Sequence, residues 1–254
     1  LKSEAFVQIN QSDFIVRIIF ILVAFYLGNY VNRVYIAKTK ENNYQIEFQK
    51  LVSEITFDFI NYNQENASMM VDDLLEKLGK FFNVDRTYLF TIDQSDKTLT
   101  YANEWCKDGI NKELGTIKDE PKTTFKWWIN ELKTSYLVRI EDVNKMPPSA
   151  KVEQEQLQRQ NVKSLLSVPV MSQGKLLAFI GMDSVVEKKH WTKDNIEFLN
   201  TFANILASVL APAQIEKHTR YMAYNDSLTG LPNRFLFSDK VTKQLEHQKE
   251  KIKI

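Results

Sequence analysis

Four large aromatic side chains lie in two predicted strands and one predicted helix. They are Trp105, Trp127, Trp128 and Phe179. Aromatic side chains between a sheet and a covering helix form the apolar walls of many small-molecule pockets. The pattern therefore predicts a ligand pocket at these residues. Ordinary core and interface packing is the commoner role of tryptophan and stays open as the alternative.

Nucleophilic and metal-ligating residues are too sparse to predict a catalytic centre. The three histidines, His190, His218 and His247, are far apart, whereas zinc and haem sites need ligands at characteristic spacings. Cys106 is followed by Lys107 and has no histidine near it in sequence. This context favours a small, half-buried residue at a strand end over a reactive thiol. We therefore expect no catalytic residue, no metal site and no cofactor within this chain.

A turn near the C-terminal end is the second candidate. Residues 226–234 read DSLTGLPNR. Gly230 permits backbone conformations that other residues resist, and Pro232 suits the first turn of a helix. Asp226 and Arg234 carry opposite charges on either side of the turn, so we expect a salt bridge that clamps it.

Composition is that of an ordinary globular protein. The 254 residues are 44% hydrophobic and 26% charged, enough for one core with additional helices or for two small domains. The formal net charge of +1 gives no overall electrostatic case for nucleic-acid binding. One cysteine excludes a disulfide within the chain, which fits a reducing cytosol. Glu153 and Glu155 are expected on a solvated helix face.

An apolar run near the N-terminus predicts a transmembrane helix over residues 14–31. Residues 18–28 have no polar side chain except the Tyr26 hydroxyl, and the run is apolar on all faces rather than striped. Its length of about 18 residues is just sufficient for a bilayer. A buried helix of a soluble domain is the alternative. Basic residues follow the run at Arg33, Lys38 and Lys40, so the positive-inside rule places the C-terminal side in the cytoplasm.

Two helices are predicted to carry apolar stripes suited to pairing. Apolar residues recur at steps of three and four within residues 38–60, as in a coiled coil. This helix either forms the seam of a parallel dimer or packs on the domain that follows. A proline inside a helix costs ~3 kcal/mol and kinks it, so Pro212 predicts a hinge or a junction between two helices. We predict a homodimer through residues 38–60 and 196–222.

The segment between these helices predicts an antiparallel sheet flanked by helices, an α+β fold. Alternating residues predict strands over 87–92, 98–105, 136–140, 164–171 and 176–183, and 3.6-residue periodicity predicts helices over 66–82, 121–132, 151–160 and 191–210. Residues 172–175, SQGK, predict a hairpin turn. Pro169 cannot donate to a ladder, so its part of the strand should lie at an edge or a bulge.

Three segments of the chain carry a family resemblance. They read YANEWCKDGI, VKSLLSVPVMSQGKLLAFIGMDSV and HWTKDNIEFLNTFANILASVL. They look like parts of a GAF domain, the small-molecule sensor module of signalling proteins, over residues 49–212. A PAS domain is the nearest alternative, but the long final helix with its tryptophan argues against it. The resemblance implies a small-molecule ligand of unknown identity.

Known ligand types of that family are not supported by the residues present. Some GAF domains attach a bilin or bind iron through a cysteine, but Cys106 lacks the surrounding pattern. Members that bind cyclic nucleotides carry an N-K pair followed closely by F-x-x-x-D-E. The pair Asn144-Lys145 has no such partner behind it.

A second resemblance begins where the first ends. Residues 223–241, AYNDSLTGLPNRFLFSDKV, look like the opening of a GGDEF domain, the catalytic domain of diguanylate cyclases. The resemblance implies a structural anchor between linker and catalytic domain at Asp226, Asn233 and Arg234. The GGDEF signature itself does not occur in the chain, so we expect a fragment that stops before the active site. Mg²⁺ and GTP are implied for the missing domain.

The sequence thus predicts the sensory part of a membrane-anchored diguanylate cyclase in a bacterial cytoplasmic membrane, with the GAF domain in the cytoplasm. One alternative is a non-catalytic sensor or adaptor with a degenerate GGDEF domain, and another is a GGDEF protein followed by a cyclic di-GMP phosphodiesterase domain. A sensor histidine kinase is disfavoured, because the linker leads to LTGLPNR rather than to a phospho-acceptor histidine helix. The expected order is flank 1–13, transmembrane helix 14–31, linker helix 32–60, GAF domain 49–212, signalling linker 213–225 and GGDEF start 223–254.

Overall fold

The chain divides into two units, with a boundary inside its first helix. The computed structural model describes residues 2–60, 67–93, 97–225, 231 and 233. The first unit comprises residues 1–53 and the second residues 54–254. Helix α1, Lys2–Ile60, contributes to both units. It contains the predicted transmembrane run and the predicted linker helix as one continuous helix.

In the first unit, α1 exposes its described apolar side chains between residues 14 and 36, whereas Phe48 and Leu51 are buried. The large apolar residues that are more than half exposed include Phe20, Leu22, Phe25, Tyr26 and Tyr35. Among the described residues, α1 is one helix long and apolar enough to cross a membrane. An apolar surface of this extent marks a region that contacts something other than water.

The described part of the second unit contains a six-stranded antiparallel sheet in the order β3-β2-β1-β6-β5-β4. The strands are β1 Arg86–Ile92, β2 Thr98–Cys106, β3 Glu120–Pro121, β4 Val138–Ile140, β5 Ser164–Ser172 and β6 Lys175–Ser184. Most of these runs are rich in β-branched and aromatic residues, which favour pleated, buried strands. The expected α+β fold class is confirmed.

Helices cover both faces of the sheet. On one face lie α2, Ala67–Phe82, and α5, Lys193–Tyr224. The Thr87 hydroxyl of β1 donates to the Leu75 carbonyl of α2 at 2.7 Å. Over the other face lie α3, Lys126–Thr134, and α4, Lys151–Arg159, where Trp128 of α3 meets Phe179 of β6.

A bulge in β2 changes which residues face each layer. Leu89 of β1 pairs with Asn103, whereas the next residue, Phe90, pairs with Tyr101, so Ala102 is extra. An extra residue reverses the alternation of side chains beyond it. Tyr101 and Glu104 therefore share the α3–α4 face.

Local chemistry explains the hairpin and the position of the proline. Gln173 and Gly174 both have positive φ, 49° and 75°, as the tight turn between β5 and β6 requires. Pro169 pairs with Phe179 on one side. On its other side the ladder with β4 ends at Ser167, so the predicted edge position is confirmed. The alternative of two helices meeting at Pro212 is wrong, because α5 is one helix through that residue.

Candidate functional site

A cavity lies between the sheet and the two helices α3 and α4. Its volume is about 60 Å³. Aromatic side chains form most of its wall: Tyr88, Phe90, Tyr101, Phe125, Trp128 and Phe179. Apolar walls with few polar groups are typical of small-molecule sites.

The register of the central strands builds the aromatic wall. Phe90 of β1 is paired with Tyr101 on one side and with Phe179 on the other. Its ring stacks on theirs at centroid distances of 4.4 and 4.8 Å. Such pairs contribute about 0.5–1.5 kcal/mol beyond their buried area. The wall is therefore held by cross-strand packing before any ligand is bound.

The structure brings together two of the four aromatic residues predicted for a pocket. Trp128 and Phe179 line the cavity, with ring centroids 6.1 Å apart. Trp127 is half-buried and packs against the same core without lining the cavity. A ligand at these residues remains a prediction.

Trp105 lies away from the cavity, against α2. A Cβ on Gly79 of α2 would come within 2.0 Å of the Trp105 ring, so the ring occupies the space that glycine leaves open. Regular alternation from Tyr101 would have placed Trp105 on the cavity face. The extra residue in β2 reverses its direction.

Glu153 of α4 is a buried polar group at the cavity. Its carboxylate accepts hydrogen bonds from the backbone N–H groups of Trp127 and Trp128 at 3.0 and 3.2 Å. These are free donors at the first turn of α3, where a negative charge is favourable. The expectation that Glu153 lies on a solvated face is wrong, because it is only 3% exposed. Glu155 is exposed, as expected.

Three buried charged side chains form a cluster beside the cavity. Arg86 Nη1 lies 3.3 Å from Asp183 Oδ2, and Arg86 Nε lies 3.2 Å from Glu104 Oε1. The second contact is an ion pair without hydrogen-bond alignment. Buried charges persist only when they are paired in this way. The cluster carries two carboxylates for one guanidinium.

Two buried polar atoms on residues that line the cavity have no hydrogen-bond partner among the described residues. They are Oδ1 of Asp183 and Nε1 of Trp128. Burial raises the pKa of Asp183 to about 7, although Arg86 and the Tyr88 hydroxyl, which interacts with the same carboxylate, act in the opposite direction. An unpaired buried acceptor or donor costs about 1–3 kcal/mol. A ligand that forms a hydrogen bond with either atom would remove that cost.

Glu104 holds the loop of residues 107–119 over the cavity. Its carboxylate accepts from the backbone N–H groups of Glu113 and Leu114, each at 2.9 Å, and from the Tyr101 hydroxyl at 2.8 Å. The Tyr101 N–H donates to the Ile117 carbonyl at 2.9 Å, and the Ile117 side chain lines the cavity. The loop is thus fixed by a buried charge rather than by a ladder.

Cys106 is half-buried at the end of β2. Its sulfur lies 3.7 Å from the Asn111 carbonyl. Burial raises the pKa of the Cys106 thiol to about 11. A thiol that stays protonated at neutral pH is a poor nucleophile.

Sequence reasoning missed the charged part of the site. Arg86 and Asp183 stand in strands that are otherwise mostly apolar, and they pair directly across β1 and β6. Charged residues inside apolar strands were the available signal. Among the predicted anchor residues, Asp226 and Arg234 lie outside the described residues, and Asn233 is half-buried.

Comparisons with solved structures place the fold. The phycocyanobilin-bound GAF domain from a cyanobacterial phytochrome aligns with a TM-score of 0.57 at 16% identity, over 67% of this chain and 97% of that one. The GAF domain from Acinetobacter phosphoenolpyruvate-protein phosphotransferase aligns with a TM-score of 0.53 at 16% identity, over 68% and 98%. At these identities the likeness concerns the fold alone.

One curated relative is a signalling protein. Methanogenesis regulatory histidine kinase FilI of Methanothrix harundinacea is 25% identical over 169 residues, which are 63% of this chain. The match spans 18% of that relative's length.

The family comparison matches the GAF domain model over residues 66–210. This range contains the whole described sheet and the cavity, and it ends before the segment that resembles a GGDEF domain. Because the match covers more than half of the chain and the fold agrees with it, the chain belongs to the GAF domain family.

Proposed function

We propose that this chain is the sensory part of a membrane-anchored signalling protein, in which a small ligand in the cavity controls an output domain. The cavity carries this proposal. Its aromatic wall is prebuilt, and the buried atoms Asp183 Oδ1 and Trp128 Nε1 lack partners beside it. The sensory role is supported by the family and by a regulatory relative.

Membrane anchoring through α1 is supported by its exposed apolar surface in the first unit. The basic residues after the apolar run favour a cytoplasmic GAF domain. In this arrangement α1 fixes the sensor at the cytoplasmic membrane.

The sheet offers a route from ligand to output. Phe179 faces the cavity, while the next residue on β6, Ile180, faces the layer that contains α5. A ligand that favours one arrangement of β1 and β6 shifts the position of α5 through differential affinity. We propose that α5 transmits this shift through a homodimer formed by residues 38–60 and 196–222.

The output domain that residues 223–241 favour is a diguanylate cyclase, which would join two GTP with Mg²⁺. A degenerate GGDEF domain and a GGDEF domain followed by a phosphodiesterase would both begin with the same residues, so both stay as alternatives. A histidine kinase is the second candidate, favoured by the curated relative.

The output is tested with the full-length parent protein in lipid nanodiscs. We expect cyclic di-GMP to form from GTP with Mg²⁺, and no stable phosphorylation of the protein from labelled ATP. Autophosphorylation without GTP turnover would mean that the output domain is a histidine kinase and not a diguanylate cyclase. The absence of both activities would favour the non-catalytic adaptor.

The sensory role is tested by filling the cavity. Ile117→Phe places a larger side chain on a lining position, whereas Leu114→Phe makes a similar change on an exposed residue of the same loop. We expect the first variant to lock the output at one level, high or low, and the second to leave it unchanged. Equal outputs in both variants would contradict control by the cavity.

A further inference from the structure

The charges at the cavity determine which ligands it can accept. Its lining includes the carboxylates of Glu153 and Asp183 and, among the described residues, no lysine, arginine or histidine. Arg86 lies behind Asp183 and is already engaged by two carboxylates and by the Asn111 carbonyl. An anionic ligand would therefore enter next to negative charge without a free basic partner, which is unfavourable in a desolvated site.

The unpartnered atoms define complementary ligand groups. Asp183 is 3% exposed. The Tyr88 hydroxyl interacts with its carboxylate, but Oδ1 accepts no hydrogen bond of regular geometry and is free to accept one from a ligand donor. The aromatic rings around it present negatively polarised faces, which attract cations. Trp128 is 7% exposed, and its Nε1–H is a donor that needs an acceptor. A ligand that carries a positively charged donor and an oxygen acceptor has the two groups that these atoms lack.

The cavity also limits the size of the ligand. Its volume of about 60 Å³ is less than half of the roughly 150 Å³ of an engineered protein cavity that binds benzene. The ligand therefore has fewer non-hydrogen atoms than the six of benzene. Tetrapyrroles and nucleotides are far larger.

We propose that the cavity binds a small organic cation, a protonated amine that also carries a hydroxyl or carbonyl oxygen. The ammonium group donates to Asp183 Oδ1 and lies against the aromatic faces, and the oxygen accepts from Trp128 Nε1. This assignment rests on the proposed sensory function, because it specifies the ligand of the same cavity.

The test uses three probes of nearly equal size and different charge: ethanolamine, ethylene glycol and glycolate. The full chain is labelled with fluorotryptophan in nanodiscs and titrated at constant ionic strength by fluorine NMR. The chain has four tryptophans, so each resonance can be assigned by a Trp→Phe variant. Trp191 serves as the internal reference, because it is fully buried and its Nε1 donates to the Ile140 carbonyl.

We expect ethanolamine to shift the Trp128 resonance at concentrations at least ten-fold lower than ethylene glycol, with Trp191 unmoved. Glycolate should leave both resonances in place. Glycolate or ethylene glycol acting as well as ethanolamine would overturn the proposal. So would the absence of any ethanolamine effect on Trp128.

Variants locate the charge that selects the cation. Asp183→Asn removes the charge and retains an oxygen for Arg86, and it should weaken ethanolamine binding at least ten-fold. Glu155→Gln removes a charge from the exposed face of α4 and should leave binding unchanged. Equal binding by both variants would contradict the role of Asp183. If Asp183→Asn does not fold, titration of the wild-type chain with the three probes still tests the proposal.

Failure of this proposal is distinguishable from failure of the sensory function. If ethanolamine does not bind while Ile117→Phe still alters the output, the cavity is a sensor for another class of ligand. If ethanolamine binds at Trp128 while Ile117→Phe leaves the output unchanged, the cation class holds and the sensory role does not.

Discussion

Asp183 connects the cavity with the buried charges. One carboxylate oxygen pairs with Arg86, and the Tyr88 hydroxyl interacts with the carboxylate, but Oδ1 accepts no hydrogen bond of regular geometry among the described residues. Its environment therefore disfavours the ionised form, and the sheet stores that cost at one position. A proton and the proposed cation would therefore compete for the same carboxylate.

The stability of the folded chain should depend on the ionisation of Asp183. Burial raises the pKa of Asp183 from 3.8 to about 7. A raised folded-state pKa contributes stability that is complete below the unfolded value and is lost as the pH rises through the folded value. Between about pH 5 and pH 8, wild-type should lose on the order of 2 kcal/mol relative to Asp183→Asn.

Denaturant titrations followed by tryptophan fluorescence would measure this difference. Asp142→Asn is the control, because Lys188 holds the pKa of Asp142 below its usual range and hence below this pH window. Parallel pH profiles for wild-type and Asp183→Asn would show that Asp183 does not titrate in the folded state near neutral pH.

The effect of Gly79→Ala on stability should change sign when the Trp105 ring is removed. In the wild-type chain a Cβ at position 79 would lie 2.0 Å from the Trp105 ring, and such overpacking costs about 1–3 kcal/mol. When Trp105→Ala removes the ring, Gly79→Ala should stabilise the helix by up to ~1 kcal/mol. Thermal unfolding of the four proteins of this cycle measures both steps. Destabilisation of similar size in both backgrounds would refute the proposed contact.

At the scale of elements, buried carboxylates accept hydrogen bonds from backbone N–H groups that have no partner within a helix or a sheet. Glu153 satisfies the first turn of α3 from a different helix, and Glu104 holds the loop of residues 107–119. Each replaces a cap or a ladder with a charge-assisted hydrogen bond, which is stronger than a neutral one. The cover of the cavity therefore depends on two side chains.

Removal of Glu104 should release the loop while the sheet remains folded. Hydrogen bonds to charged groups contribute about 1.5–3 kcal/mol each, so Glu104→Ala should raise the open population at least ten-fold. Limited trypsin digestion would then cleave after Lys112 correspondingly faster. Glu113→Gln is the matched control, since only the backbone N–H of Glu113 reaches Glu104. Similar cleavage rates in the two variants would mean that Glu104 does not hold the loop.

The helices and strands could be predicted from the sequence better than the side of the element on which each side chain lies. Five of the six strands, the β5–β6 hairpin and the edge position of Pro169 follow from period-two alternation and turn chemistry, which are local. The short strand β3 was not predicted, because the helix predicted over 121–132 includes its Pro121. The direction of Trp105 depends on the extra residue Ala102, which is visible only when β1 and β2 are paired. Glu153 looked solvent-facing because its partners lie about 25 residues away. Long-range hydrogen bonds leave no periodic signal.

At the scale of the whole molecule, the two units present different surfaces. The first exposes the apolar run of α1. The second buries its apolar residues between a sheet and helices on both faces, and it keeps a cavity on one of them. The apolar run of α1 and the core of the GAF domain thus differ in how they meet solvent.

Membrane anchoring predicts a position-dependent effect of charge along α1. Leu22→Arg combined with Phe25→Arg places two charges within the apolar run, each costing about 2.5–3.5 kcal/mol at a bilayer centre. We expect carbonate extraction to release this variant from membranes. Ile46→Arg, also on an exposed position of α1 but outside the run, should remain in the membrane fraction. Retention of the double variant would contradict a transmembrane helix.

The extra residue in β2 also bears on how such a sensor can change during evolution. Loss of the single codon for Ala102 would close the bulge and join Tyr101 directly to Asn103. The residues after it would keep their present partners in β1, and Glu104 and Trp105 would therefore keep their faces of the sheet. At this one position the strand can lose a residue in frame without exchanging the carboxylate that faces the cavity for the indole that faces α2.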